Sequence, residues 1–405
     1  MNCNWIELPL GDLIELKRGY DLPKSKRCHG NIPIVSSAGI SDFHADSKVQ
    51  APGVVTGRYG TIGEVFYVEE NFWPLNTTLY VKDFKGNCPE FVYYLLKTFD
   101  FHKYSDKAAV PGVNRNHLHM EMVRVPSDYD CQKKIASYLS KLDKKISLNT
   151  DVNNTLEEIA QAIFKSWFVD FDPVKAKMNG EQPESMDAAT ASLFPEKLVE
   201  SELGLIPEGW KVGTLKDIAT FQNGYAFKGK DWTEEGFPVV KIGSVKPGIV
   251  DLKSCSYVAG QTVESLERFK LNIGDILVGM TGYVGETGLV PQSTVAPYLN
   301  QRVGRLTPLS QSRYELLYVI VRNTAYKQFA EAQAQGSAQA NVSGKALMSY
   351  PIVIPSEKLI EKFSDLIAPM IKQKLTFSAQ CEWLAQTRDT LLPKLLSGEI
   401  ELETK

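Results

Sequence analysis

Long apolar runs, paired cysteines and recognisable catalytic motifs are all missing from this chain of 405 residues. Without a run of about 18 apolar residues there is nothing to span a membrane as a helix. The opening "MNCNWIELPLG" has no basic patch followed by an apolar stretch, so it is not expected to be a signal peptide. The six cysteines (Cys3, Cys28, Cys88, Cys131, Cys255, Cys381) are scattered without a Cys-x-x-Cys pair. They are expected to be reduced thiols of a cytoplasmic protein, neither a disulfide frame nor a zinc site. Among five histidines the one close pair is His117 and His119, expected on one side of a strand and too few for zinc. There is no Gly-x-Ser-x-Gly elbow and no Walker A lysine. Asp170 and Asp172 have no matching acidic partners and are expected to end a helix and start an acidic stretch. No complete catalytic constellation remains.

An excess of charge is lacking too: 45 basic residues face 48 acidic ones. The acidity is local, because eight acidic residues and three lysines lie between Asp172 and Gly209. The remainder is therefore mildly basic, which permits DNA binding without announcing it.

What the chain does have is itself, twice. "WIELPLGDLIELKRGY" from Trp5 aligns without a gap to "WKVGTLKDIATFQNGY" from Trp210, 205 residues later. "NIPIVSS" then parallels "GFPVVKI", and Gly57-x-x-Gly60-x-x-Gly63 parallels Gly279-x-x-Gly282-x-x-Gly285. "WPLNTT" around Asn76 parallels "PYLNQR" around Asn300, and "GVNRNHLHMEMVRVP" parallels "NVSGKALMSYPIVIP". A period this long means a duplicated domain rather than a solenoid. Short β-branched runs between glycines predict strands and tight turns, while "PEFVYYLLKTF" and "RYELLYVIVRNTAYKQFAEA" look helical. The expectation is an α+β domain with a strongly bent sheet, present twice. Trp5 and Trp210 would anchor the matching first strands as core residues. The glycine series has neither dinucleotide nor P-loop spacing, so its glycines are expected to serve hairpin turns.

A different pattern follows each domain. Ile135, Leu139, Leu142, Ile146, Asn149, Asn153, Leu156, Ala160, Ile163 and Trp167 step alternately by four and three. Phe363, Ile367, Met370, Lys374, Phe377, Cys381, Leu384, Arg388, Leu391 and Leu395 repeat those steps. An apolar period of about 3.5 residues is a coiled-coil seam, and neither helix can bury it alone. The simplest solution pairs the two helices, with Asn149, Asn153, Lys374 and Arg388 fixing register. Pro369 is expected to break the second helix near its start or to cap a fresh one.

Polar and aromatic residues on the turns are the candidate DNA readers, because Arg, Lys, Asn and Gln can bond to base edges. In the first copy these are Lys17, Arg18, Tyr20, Arg58, Tyr59, Asn76, Lys107, Asn114, Arg115, Asn116 and His117. In the second they are Gln222, Asn223, Tyr225, Lys228, Tyr283, Asn300, Gln301, Arg302, Gln339, Ser343 and Lys345. The matched loops differ, "LNTT" against "LNQR" and "VNRNH" against "VSGKA". One frame with two sets of tips suits two different short targets.

Over essentially its full length the chain resembles a specificity subunit of a type I restriction-modification system. The resemblance rests on the repeated "W…GY" openings and the glycine turns. It rests most on "IFKSWFVDFDPVKAK", "ESELGLIPEGW" and "LAQTRDTLLPKLLSGEI". It implies target recognition domains over residues 1–127 and 207–355, long helices over 128–171 and 356–398, and an acidic linker over 172–206. The two domains would be related by a pseudo-twofold internal repeat, joined by two long antiparallel coiled-coil helices. Such a subunit reads a bipartite, asymmetric site on double-stranded DNA and has no catalytic or metal site. The resemblance implies as partners two modification (methyltransferase) subunits and restriction subunits with translocase and nuclease activity. No cofactor is then expected on this chain, with S-adenosylmethionine, ATP and Mg on the partners. The chain has no Pro-Pro, hence no Asn/Asp-Pro-Pro-Tyr/Phe methyltransferase motif, which agrees. The competing expectation is a coiled-coil adaptor with two protein- or carbohydrate-binding heads, and a third is the detached recognition part of a single-chain restriction-methylation enzyme. A helix of about 38 residues, about 57 Å long, would also suit a ruler between half-sites.

Overall fold

The structure is a computed structural model that describes residues 3–104, 112–334 and 340–400. The chain divides into two compact units, Met1–Ser147 with Glu382–Lys405, and Leu148–Cys381. Among the described residues no helix is long and apolar enough to cross a membrane.

In the first unit, Trp5–Pro9 pairs antiparallel with Met122–Pro126, bringing the two ends of the domain together. Between them a four-stranded sheet runs in the order Glu15–Arg18, Thr78–Asp83, Gly53–Gly57, Val65–Val68. A three-stranded sheet has Ile32–Ser36 in its centre, with Trp73–Pro74 parallel to it on one side and Gly39–His44 on the other. The bent sheet expected from the sequence is thus two sheets. Phe91, Val92, Leu95 and Leu96 of the helix Pro89–Lys97 cover the larger one and join its core.

The second unit repeats this plan. Lys211–Thr214 pairs with Pro351–Ile354, so Trp210 lies just before its strand, whereas Trp5 lies within its own. Its larger sheet has the order Ala219–Asn223, Val303–Pro308, Ile276–Gly279, Thr287–Leu289, with Gly248–Ile249 added at the edge. Phe237–Val240 pairs parallel with Tyr298–Leu299, as Ile32–Ser36 does with Trp73–Pro74. Val239 opposite Tyr298 and Ile34 opposite Trp73 fix the correspondence between the copies. By that register Leu75 matches Asn300 and Asn76 matches Gln301, one residue away from the alignment read from the sequence. Tyr20 bridges Leu75 as Tyr225 bridges Asn300, which confirms the shift.

The helical stretch of the second copy is two helices, Tyr314–Arg322 and Thr324–Gln333, separated at Asn323, whose side chain accepts from the Ala325 N–H. The acidic 172–206 stretch is folded against the second core. It contributes Val174 and Phe194, flanked by Phe171.

The long helices are Tyr129–Phe168 and Glu357–Ser397. At about 1.5 Å per residue the first is about 60 Å long. Their expected seam positions are all buried or half-buried. In the first unit Ile135 and Leu139 share a core with Leu392 and Leu395, and Arg388 bonds Asp143 at 2.5 Å. In the second unit Asn149 donates to Gln380 at 3.2 Å and Asn153 to the Lys374 carbonyl at 3.2 Å. The rings of Phe168 and Phe363 lie 5.0 Å apart. Numbers rise on one helix as they fall on the other, so the pairing is antiparallel in each unit. A buried amide has few partners to choose from, which is why such polar seam residues set register.

Three further expectations are corrected. The second helix runs unbroken through Pro369, which sits on its exposed face. There the carbonyl four residues earlier can lose its partner to water, and tight packing elsewhere holds the helix. Cys3 and Cys131 form a disulfide, with Cα atoms 6.0 Å apart, tying the residues just before the first strand to the first turn of the long helix. They are 128 residues apart, so only folding makes them neighbours. His117 and His119 lie on the short helix Arg115–His119, not on a strand. His119 accepts from the Leu16 N–H at 3.0 Å, and burial, helped by Arg115, pushes its pKa below the ordinary value.

Candidate nucleic-acid interface

Each unit joins the same three loops, and the glycine turn is the middle one. Gly60 and Gly63 have φ of +81° and +98°, Gly282 and Gly285 both +74°, the left-handed region that glycine enters freely. Gly57 and Gly279 are needed for space: a Cβ there would collide with the carbonyl oxygens of Thr61 and Tyr283. The expected hairpin role of this series therefore holds in both copies.

In the first unit the Arg58 N–H donates to the Thr77 carbonyl at 2.8 Å, and the Val113 N–H donates to the Arg58 carbonyl at 3.0 Å. In the second the Met280 N–H donates to Arg302 at 3.0 Å and the Val342 N–H to Met280 at 2.9 Å. The loop triad is thus 58–63, 76–77 and 112–116 in one copy, and 280–285, 301–302 and 340–345 in the other. The frame is conserved by backbone hydrogen bonds, which leaves the side chains at the tips free to differ.

The 58–63 and 112–116 loops, with Arg18, line a cleft of about 300 Å³ that brings together Arg18, Arg58, Tyr59, Asn114, Arg115 and Asn116, six of the sequence candidates. The Arg58 guanidinium lies 4.5 Å from the centre of the Tyr59 ring, which stiffens it. The Tyr59 ring in turn fills the space where a Cβ of Gly112 would stand. Three guanidinium groups around one cleft suit a polyanion. Arg18 is 3.5 Å from Asp21, an exposed pair worth little. Asn114 spends its side chain capping the Arg115–His119 helix, accepting from the Asn116 N–H at 3.0 Å. Asn76 donates to Asp21 beside the cleft, and Lys17 lies over the Tyr20 ring, whose hydroxyl meets that of Tyr80. His117 is exposed on the same short helix, and Lys107 lies outside the described residues.

In the second unit the exposed candidates around the triad are Tyr283, Gln301, Arg302, Ser343 and Lys345. Ser343 caps its short helix, accepting from the Ala346 N–H at 3.1 Å. Other candidates are taken up by the fold. Gln222 accepts from Arg305 at 2.6 Å and donates to the Arg268 carbonyl at 2.8 Å. Asn300 is buried where the first copy has Leu75, accepting from the Arg302 N–H at 3.4 Å. Tyr225 packs on Phe227 and Phe269, with ring centres 5.0 and 5.4 Å away. Asn223 and Lys228 are exposed on the strand end and loop beside it, and Gln339 is outside the described residues.

Two features escaped the sequence reading. Lys246 stands 6.0 Å from the Tyr283 ring, in a segment with no counterpart in the repeat and no motif to mark it. Behind the second turn lies a buried charge cluster. Arg322 bonds both Glu286, which ends the turn, and Glu157 of the first long helix, at 3.3 and 3.0 Å. Lys327 pairs with Glu286 at 2.8 Å, while Lys374 and the Tyr318 hydroxyl also bond Glu157. Burial works to raise the Glu157 carboxyl, but the Lys374 and Arg322 charges outweigh it and hold it below the usual carboxylate range. The turn is thereby fixed to both long helices. Spacing could not reveal this, since its members come from four helices and the turn. Among the described residues no group of three or more His, Cys, Asp or Glu side chains is placed to hold a metal.

The chain matches the family described as the type I restriction modification DNA specificity domain twice, over residues 2–158 and 207–375. It is similar to the specificity subunit of the type I restriction enzyme HindI of Haemophilus influenzae, 27% identical, with 77% of each chain covered. The specificity subunit of the MjaIX enzyme of Methanocaldococcus jannaschii is 25% identical over 78% of this chain and 70% of that one. Among solved structures, a type I restriction-modification S subunit from M. genitalium has the same fold. It has a TM-score of 0.60 at 17% identity, covering 99% of this chain and 98% of that one.

Proposed function

The chain belongs to the type I restriction modification DNA specificity family, and on that premise we propose that it reads a bipartite, asymmetric DNA site, one half-site per unit. The observation that carries this is the pair of equivalent loop triads, held by matching backbone bonds but ending in different cationic tips. Arg58 and Arg115 stand on one, Arg302 and Lys345 on the other. Phosphate contacts would supply most of the affinity and base-edge contacts the specificity. In this reading the chain is the non-catalytic specificity subunit. It scaffolds two adenine methyltransferase subunits and the restriction subunits, and the S-adenosylmethionine, ATP and Mg sites lie on those partners. The long helices support a scaffolding role, since each leaves large apolar side chains exposed, Trp383 at 64% being the most open.

The test is selection from a random duplex pool at stepped salt, followed by methylation of the selected sequences with and without added modification subunit. Two enriched blocks separated by an unread gap are expected, with methyl transfer when the partner is added. A coiled-coil adaptor with protein- or carbohydrate-binding heads would enrich no sequence. Methyl transfer by the isolated chain would remove the scaffold reading.

A further inference from the structure

Tyr283 is the one large apolar side chain of the second loop triad that stands exposed among the described residues, at 62%, on a turn with no freedom to hide it. Its neighbours are inside: Thr281, Val284 and Glu286 are all buried. The Gly282 N–H donates to the Ala340 carbonyl at 3.1 Å, the Gly285 N–H to Gly279 at 3.0 Å, and the Thr281 hydroxyl to the Asn341 side chain at 2.9 Å. A Cβ at Gly285 would press on Ala330, so the turn is also seated tightly on the helix behind it. An aromatic ring loses favourable burial when held in water. Here a rigid frame holds one there, with Lys246 beside it and Arg302 on the adjoining loop.

Resting on the reading of this unit as the reader of one half-site, we propose that Tyr283 is a specificity-determining wedge whose ring stacks on a base of that half-site. Bases in a duplex are already stacked, so a ring reaches a π face only by opening a step, which costs least at pyrimidine–purine steps. The flanking cations neutralise phosphates on either side. The first unit lacks the device: Thr61 holds the matching place, as its carbonyl blocks a Cβ at Gly57 just as that of Tyr283 does at Gly279. Its own turn aromatic, Tyr59, is wedged against Gly112 instead. The chain therefore carries an internal control.

The experiment uses the full chain and a selected duplex, with 2-aminopurine placed singly at each position of both half-sites. Enrichment of a sequence by the wild type establishes the DNA reading independently of the wedge. Binding should then raise 2-aminopurine fluorescence at one step in the second unit's half-site and nowhere in the first. Tyr283→Ala should abolish that signal, weaken binding about ten-fold and relax preference at that step, with thermal stability unchanged. Tyr283→Phe should keep both signal and preference. The proposal is overturned if Tyr283→Ala keeps the fluorescence rise, or if Tyr283→Phe behaves like Tyr283→Ala, which would make the hydroxyl the reader. It is equally overturned if Tyr283→Ala leaves DNA selection intact and blocks partner-subunit association instead.

Discussion

The two units are fastened to the long helices in different ways. Both place a helix tyrosine on an acid of the first long helix that is paired to a cation of the second. In the first unit these are Tyr94, Asp143 and Arg388, with the Tyr94 hydroxyl donating to Asp143 at 2.6 Å. In the second they are Tyr318, Glu157 and Lys374, extended through Arg322 to Glu286 at the end of the turn. Glu64, which accepts from Gly57 as Glu286 does from Gly279, is exposed in the first unit and has no such role. The first unit has instead a covalent tie at another place, Cys3 to Cys131, between the start of the domain and the first long helix. Backbone geometry is what duplication kept, and side-chain chemistry is where the copies diverged. A glycine that clears a carbonyl has no substitute, whereas a buried charge pair can be exchanged for another anchor.

That contrast can be broken most severely by exchange. Replacing Asn4–Pro126 with the matching part of a relative should replace one half-site entirely and leave the other unchanged, as read by methylation profiling with the partner subunits. Joint change of both halves would mean the units do not read independently.

Next in size is Glu157→Ala, which leaves Lys374 and Arg322 buried without their carboxylate. A loss of about 3–5 kcal/mol is expected in chemical denaturation, confined to the second unit's transition. The sign with pH follows from the lowered Glu157 pKa. The stabilisation is full above the ordinary carboxylate range and drains as pH falls through the depressed value. Stability measured from about pH 7 to about pH 3 should therefore fall less steeply in Glu157→Ala than in the wild type. Parallel curves would show that the cluster holds nothing in place.

The covalent tie is the first unit's counterpart. Cys3→Ser should cost that unit about 2–4 kcal/mol and spare the other. If reduction of the wild type reproduces no part of that loss, the bridge is not what fastens the strand to the helix.

Smallest, and sharpest for recognition, are Arg58→Ala and Arg302→Ala. Each should weaken binding by about 1–3 kcal/mol and relax one position of its own half-site. A uniform loss over all sequences with a shallower salt slope would assign that arginine to phosphate.

The His117 and Pro369 cases show where local reading failed and why. "NRNHLHM" has alternating polarity, but Asn114 is an N-cap, and the cap decides for a helix. Pro369 is costly within an isolated helix, yet Phe363, Ile367 and Ile371 bury around it and outweigh that cost. The seam itself was legible because a period of about 3.5 needs many residues and tolerates a few exceptions.

By itself the sequence determined the duplicated plan, the two paired helices and the glycine turns, because each is written in local spacing or in a steric demand that one residue type meets. Which polar residues face outward was settled by tertiary structure alone. Asn300 and Gln301 are adjacent and chemically alike, yet one is buried and the other exposed. A register one residue different would exchange them, since side chains alternate along an extended chain. The same holds for Cys3 with Cys131 and for Glu157 with Arg322: their meeting depends on where distant segments are brought when the core closes, and no spacing along the chain encodes that.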